Sequence, residues 1–396
     1  AMGRVLNVSS VFFTAFIGCL AGTCSMSPDD PRYEAYARDA SKQVPGWEVV
    51  DLDLPPEERW QRIVAPRAQE IQAMIDAAKS SGGKAIHLLL NLLERAFGGV
   101  GEPLLNALPL EYAREIKGIQ IATNISAIEL FVYNIMYEIS GACTSVVAQD
   151  ASGNVVHARN LDFGPKELAA KLRPLLMNVK FMKGGKVLFR SVSYAGYIGC
   201  LTCMKEQGFS LSVNTRSWST LPDLLPGGLI EWILGIDRSG HFLTFMTRDV
   251  LQEERSYADA TERVNSTKLL GPAYIILAGV QAGEGAVITR DSTHSLHYWS
   301  LAEEAASKGR PFILETNFDH WDRRAHDRRD NGNACMAQIV ANATVDFKNM
   351  FQVMSSRPTR NDGTTYTSLL SPRHGRMESY IQHCCNGEDL APSLIV

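Results

Sequence analysis

The feature that most constrains this chain is a change of periodicity at Cys143. From Pro55 to about Ile139 apolar residues recur every three to four positions, which predicts helices. From Cys143 onward short β-rich stretches alternate with turn residues. One polypeptide therefore joins a helical half to a strand-rich half.

In the first half the spacing predicts a helix over Glu57 to Ala77, one over Ile86 to Phe97 stopped by Gly98-Gly99, and one running from a cap at Asn124 or Ser126 through Tyr137. In the second half Thr144 to Ala148 and Val155 to Ala158 flank the turn residues 150–154, a hairpin signal. A second pair, Met177 to Met182 and Val187 to Val192, brackets Gly184-Gly185. Further strands are expected near Phe209 to Asn214, Ile275 to Ala278 and Ala286 to Thr289, with helices over Gly228 to Leu234, Ser256 to Ser266 and Val345 to Met354. Antiparallel sheets with helices outside them satisfy both patterns, giving an α+β layered domain preceded by a helical segment.

A net charge of -4, with 21% charged and 45% hydrophobic residues, argues against a nucleic-acid binder. Arg4 followed by the apolar run Val11 to Ala21 reads as a signal peptide cut after Ala21, too short to span a membrane comfortably. Sequons at Asn124, Asn265 and Asn342 and the eight cysteines agree with a secretory route. Cys200 and Cys203 with His383, Cys384 and Cys385 match no standard zinc spacing, so no metal or other cofactor is expected.

Gly141-Ala142-Cys143 places a thiol at the start of a predicted strand, and the hairpin returns Arg159-Asn-Leu-Asp162 toward it. Such neighbours tune a thiol and orient its proton acceptor. Taken alone, the same residues also fit a small buried hydrophobe and a solvated hairpin end.

The run Cys143-Thr-Ser-Val-Val-Ala-Gln-Asp150 with His157-Ala-Arg-Asn-Leu-Asp-Phe163 resembles the catalytic subunit of the acid ceramidase and N-acylethanolamine acid amidase family of N-terminal-nucleophile hydrolases. The resemblance extends through Asp51 to Trp60, Tyr194 to Gly199, Glu231 to Gly235, Gly271 to Leu277, Gly283 to Arg290, Glu315 to Trp321 and Asp327 to Arg329. It covers nearly the whole chain after the signal.

The resemblance implies an αββα sandwich and self-cleavage between Ala142 and Cys143, giving a signal (1–21), a helical α-subunit (22–142) and a catalytic β-subunit (143–396). It implies Cys143 as nucleophile, Arg159 and Asp162 around its thiol and new amine, Asn317 as an oxyanion donor, and Arg328 as a further cation whose role Arg329 could take. It also implies a bridge between Cys24 and Cys335, a lysosomal location and a saposin-like lipid-extracting partner at a membrane surface. Thr215 departs from the family, which usually carries an acidic residue there. The implied substrate is ceramide, with a fatty-acid ethanolamide as the alternative. A non-catalytic lipid-binding protein on the same fold is the reading of another class. The apolar run Ile86 to Leu93 is either core or a lipid contact.

Overall fold

A computed structural model describes residue 24, residues 47–382 apart from 82, 99–100, 140, 165, 217–224, 323, 325 and 343, and residues 393–394. The expected signal and the His383-Cys384-Cys385 cluster lie outside the described residues. Helices α1 (Ala68–Ser81), α2 (Gly83–Phe97), α3 (Glu102–Ala107), α4 (Leu110–Thr123) and α5 (Ala127–Ile139) form the first half. Ahead of them lies β1 (Glu48–Asp51), which pairs in parallel with β4 (Leu176–Lys183) and so ties this half into a sheet of the other. The helical reading missed β1, because four residues are too few to show a period and only the partner strand makes them a strand.

Two sheets stack face to face. The larger runs β1-β4-β5-β6-β7-β8-β9-β10, with β5 (Lys186–Tyr194), β6 (Thr202–Met204), β7 (Ser210–Thr215), β8 (Ala273–Ala278), β9 (Gly285–Arg290) and β10 (Ser295–Ser300). The smaller runs β11-β2-β3-β12-β13-β14, with β2 (Ala142–Gln149), β3 (Val155–Asp162), β11 (Phe312–Glu315), β12 (Thr364–Ser371), β13 (Arg376–Ile381) and β14 (Ser393–Leu394). Val147, Val155, Tyr274, Ile276, Val287 and Ile313 fill part of the space between them. Outside the smaller sheet lie α11 (Asp327–Asn342) and α12 (Phe347–Ser355), whose Met336, Ile339 and Phe351 meet Val146, Val156 and Leu369. Outside the larger sheet lie α1, α2, α4 and α5, with α6 (Lys166–Leu172), α7 (Gly227–Leu234), α8 (Leu243–Glu253) and α9 (Tyr257–Ser266) in the same core; α10 (Leu301–Lys308) packs beside β10 and β11. This is the expected αββα sandwich.

Local chemistry explains where boundaries differ from the sequence reading. The helix expected from Glu57 begins as a short turn at Gln61–Val64, tightens over Ala65–Arg67 around Pro66, and becomes regular only at Ala68. Proline lacks the donor a helix interior needs and disfavours helical geometry before it. Asn124 does not cap α5. It closes α4 with a left-handed backbone (φ 61°), while Ser126 and Glu129 form a reciprocal capping box at α5, with Glu129 N donating to Ser126 Oγ at 3.3 Å and Ser126 N to Glu129 Oε2 at 3.2 Å. In α2, Ile86, Leu89 and Leu93 are buried and Leu88 is exposed, so this run is mainly core. Among the sequons, Asn124 is exposed, Asn265 is half-buried in α9, and Asn342 ends α11.

The halves meet across buried charge as well as through β1. Glu115 of α4 is fully buried and accepts from Arg248 of α8 at 2.6 Å twice, Trp60 Nε1 at 2.7 Å and Arg59 at 2.8 Å. Cys24 and Cys335 form a disulfide, Cα atoms 4.7 Å apart, spanning both halves. Cys200 and Cys203 pair with each other.

Candidate active site

The site forms where α5 runs into β2. Gly141 between them has no room for a side chain, because a Cβ there would lie 2.6 Å from Tyr137 Cε2. Alternation along β2 then sends Cys143 and Ser145 toward the larger sheet and Ala142 and Thr144 toward α11. Cys143 is fully buried.

Two polar groups meet its sulfur: Arg159 Nη2 donates at 2.9 Å, and the Tyr137 hydroxyl lies 2.9 Å away. β3 pairs with β2 in antiparallel register, Ser145 opposite Arg159, which brings the guanidinium to the thiol. Arg159 is buried yet fully engaged at its two terminal nitrogens, donating also to Leu201 O at 2.7 Å and Val213 O at 2.8 Å. Burial opposes its charge, but its interactions with the groups around it, Cys143 foremost, raise its pKa overall, so it stays a cation. Burial pushes the Tyr137 phenol far up, and it remains neutral.

The Cys143 nitrogen donates to Asn317 Oδ1 at 2.9 Å. Arg328 of α11 donates to the same Asn317 oxygen at 2.8 Å, to Cys143 O at 2.7 Å and to Asp162 Oδ2 at 3.2 Å. Arg329 instead donates to the carbonyls of Asp319, Asp322 and Arg324, so of the two arginines Arg328 reaches Cys143. Asp162 also accepts from Asn361 at 2.7 Å and Thr364 at 2.6 Å. Burial raises its pKa despite the opposing Arg328 charge. A cleft of about 430 Å³ opens beside Ala142, lined by Thr316, Phe318, His326, Arg328 and Asn361 among others.

Two details depart from the sequence reading. Asn317 was expected to offer its amide to an oxyanion, yet Nδ2 donates to Thr215 O at 2.7 Å and Thr215 Oγ1 at 3.1 Å, and the carbonyl end faces the Cys143 nitrogen. Thr215, where the family usually has an acid, donates its hydroxyl to the Gly141 carbonyl, one peptide before the Ala142–Cys143 bond. Sequence reasoning also missed Tyr137, Asn361 and Thr364. They lie far from any motif in chain order or, like Tyr137, read as one more core position of a helix.

Residues 143–333 match the family model described as linear amide C-N hydrolases, choloylglycine hydrolase family, a match that begins at the buried thiol. Residues 43–98 match the model for the beta subunit of N-acylethanolamine-hydrolyzing acid amidase. Fold and site together define an N-terminal-nucleophile hydrolase of the linear-amide class. Acid ceramidase from Homo sapiens is 34% identical over 356 residues, covering 85% of this chain and 86% of that protein. Acid ceramidase from Mus musculus is 30% identical over 390 residues, covering 92% and 95%. The chain belongs to the acid ceramidase family. Among solved structures, the Caenorhabditis elegans N-acylethanolamine-hydrolyzing acid amidase ortholog is 30% identical with a TM-score of 0.51, covering 58% of this chain and 93% of that one.

Proposed function

We propose that this chain is a self-processing amidase that hydrolyses ceramide to sphingosine and a free fatty acid. The observation that carries the reading is the double hold on Cys143, its sulfur 2.9 Å from a buried guanidinium and its nitrogen 2.9 Å from Asn317 Oδ1. A purely structural cysteine needs no buried cation on its sulfur.

In the precursor the Cys143 thiolate attacks the Ala142 carbonyl carbon. The acyl group passes from nitrogen to sulfur, the nitrogen takes a proton, and water then hydrolyses the thioester and frees residues 22–142 as an α-subunit after signal removal. The residue left at the head of β2 carries both nucleophile and base, because an α-amine has a pKa near ~8 where a lysine is near ~10. Asn317 Oδ1, already on that nitrogen, orients the amine, and Arg159 holds the thiolate. On an amide substrate the thiolate forms a thioester, the amine hands its proton to the leaving nitrogen, and water activated by the amine completes the cycle. Release of Gly141 frees Thr215, and with it one Asn317 Nδ2 hydrogen, to meet the oxyanion. Such a donor is worth roughly 3 to 4 kcal/mol in a well-studied hydrolase. Arg328 and Asp162 fix the strand start from the α11 side.

The expected signal, the sequons and the family support a lysosomal enzyme working at a membrane surface with a saposin-like partner. A fatty-acid ethanolamide is the second reading, favoured by the match of residues 43–98 and by the C. elegans structure. The deciding experiment incubates purified protein at acid pH and follows intact mass, then offers ceramide and a fatty-acid ethanolamide in detergent micelles. We expect cleavage between Ala142 and Cys143, faster fatty-acid release from ceramide, and neither event in Cys143→Ala. Cleavage of Cys143→Ala by its own action, or equal hydrolysis by it, sinks the reading.

A further inference from the structure

The face of β7 turned toward the smaller sheet is polar where a sandwich interior is normally apolar. Ser210, Ser212 and Asn214 point inward, and Leu211 and Val213 pack on the helices. All three polar residues are fully buried, as are Ser145 and His157 opposite them. These side chains form one continuous hydrogen-bond chain. His157 Nδ1 lies 3.0 Å from Ser210 Oγ and Nε2 2.9 Å from Ser212 Oγ; Ser212 Oγ lies 3.0 Å from Ser145 Oγ. Ser145 Oγ donates to Asn214 Oδ1 at 2.9 Å, and Asn214 Nδ2 donates to Glu315 O at 3.0 Å and Thr316 O at 2.8 Å.

Counting hydrogens fixes its direction. Two backbone carbonyls hold the Asn214 amide nitrogen, so its oxygen only accepts, and the Ser145 hydrogen must point there. Ser145 then accepts from Ser212, Ser212 from His157 Nε2–H, and His157 Nδ1 from Ser210. Nε2 therefore carries a hydrogen, and because burial keeps the ring neutral, Nδ1 accepts from Ser210, whose hydroxyl also lies 3.5 Å from Ala278 O. Burial, and then the Arg159 charge, push the His157 pKa down to about 3, so acid does not readily reverse the chain.

The chain ends on the two peptide carbonyls immediately before Asn317. We propose that Ser145, Ser212, His157 and Asn214 are positioning residues that aim Asn317 at the Cys143 nitrogen through the Glu315–Thr316 backbone. The proposal rests on the role given to Asn317 above. A neutral hydrogen-bond chain sets a backbone position without placing a further charge beside the thiol, whose only contacting cation is then Arg159 among the described residues.

The test separates geometry from activity. In uncleavable Cys143→Ala protein, hydrogen exchange of the amide at position 143 is compared after Ser145→Ala, Ser212→Ala and the near-isosteric Asn214→Asp, with the off-chain buried Ser193→Ala as control. We expect about tenfold faster exchange at position 143 in the chain variants, none in the control, and comparable melting temperatures in all four. In the active protein Ser145→Ala should lower kcat about tenfold with KM within twofold, and should add nothing in an Asn317→Ala background. Unchanged exchange at position 143, or kinetic losses that add, overturns the proposal. An unmutated chain that neither cleaves itself nor hydrolyses an amide overturns the functional reading instead, and the exchange arm still decides the positioning.

Discussion

Arg159 Nη2 sits 2.9 Å from Cys143 Sγ and 2.8 Å from Val213 O, so the cation beside this thiol is also the bolt between the two sheets. Arg159→Lys separates these duties badly, since one ammonium cannot serve Leu201 O, Val213 O and the sulfur from a fork's geometry. We expect at least a hundredfold loss of turnover and a stability loss of about 2 kcal/mol from the carbonyls left unpaired. A pH-rate profile beside a denaturant melt checks it; near-normal turnover would return Arg159 to a structural role.

Thr215 Oγ1 donates to Gly141 O and lies 3.1 Å from Asn317 Nδ2, which connects the segment just before Cys143 to the amide. Thr215→Val keeps the shape and removes both contacts. Self-cleavage should slow about tenfold by timed gel, and Thr215→Ser should restore most of it. Equal rates in all three proteins would dismiss the hydroxyl.

Burial raises Glu138 and Glu315 to about 8, so each holds a proton in the fold that the unfolded chain releases above about 4.5. Unfolding in that window sheds protons, and stability falls as pH rises. His157 and His320, lowered to about 3 and about 4, act oppositely but only below their unfolded value near ~6.5. Between pH 6.5 and 8 the carboxyls dominate, at up to about 1.4 kcal/mol per unit each. Melting temperature should therefore drop from pH 6.5 to 8, and drop less in Glu138→Gln/Glu315→Gln; a flat or rising wild-type profile contradicts the assignment.

After cleavage the halves should stay together even when Cys24–Cys335 is reduced. The β1–β4 ladder, the two hydrogen bonds from Arg248 to Glu115 and the apolar core shared by the helices and the larger sheet hold them without it. Cleaved protein should give two bands only on reducing denaturing gels, yet elute as one species from a native column with or without reductant. Glu115→Ala strands Arg248 in the core at a cost of about 3 to 5 kcal/mol, and reduction should then release the α half. Separation of the reduced wild-type halves on the native column would show that the disulfide alone joins them.

Much of this architecture was legible in the chain. Strand alternation around residues 150–154 and Gly184-Gly185 located the hairpins β2–β3 and β4–β5, and Ser126 with Glu129 encoded the start of α5, because these signals are local and a period or cap is complete within one element. The position of Cys143 at the junction of the two textures was equally local. Periodicity reports which face is buried and says nothing of what faces it.

The partners were therefore decided by tertiary structure alone. Asn317 meets the Cys143 nitrogen across 174 residues, with the end of its amide that the sequence reading did not expect, because Thr215 occupies the other end. Arg328 rather than Arg329 reaches Cys143 because α11 turns one toward β2 and the other toward the loop carbonyls of Asp319 and Asp322. β1 became a strand only by finding β4, and Ser145 and His157 became one chain only by finding Ser212. Each is a hydrogen bond whose second half comes from a distant element, and the pairing exists only once packing has brought the two together.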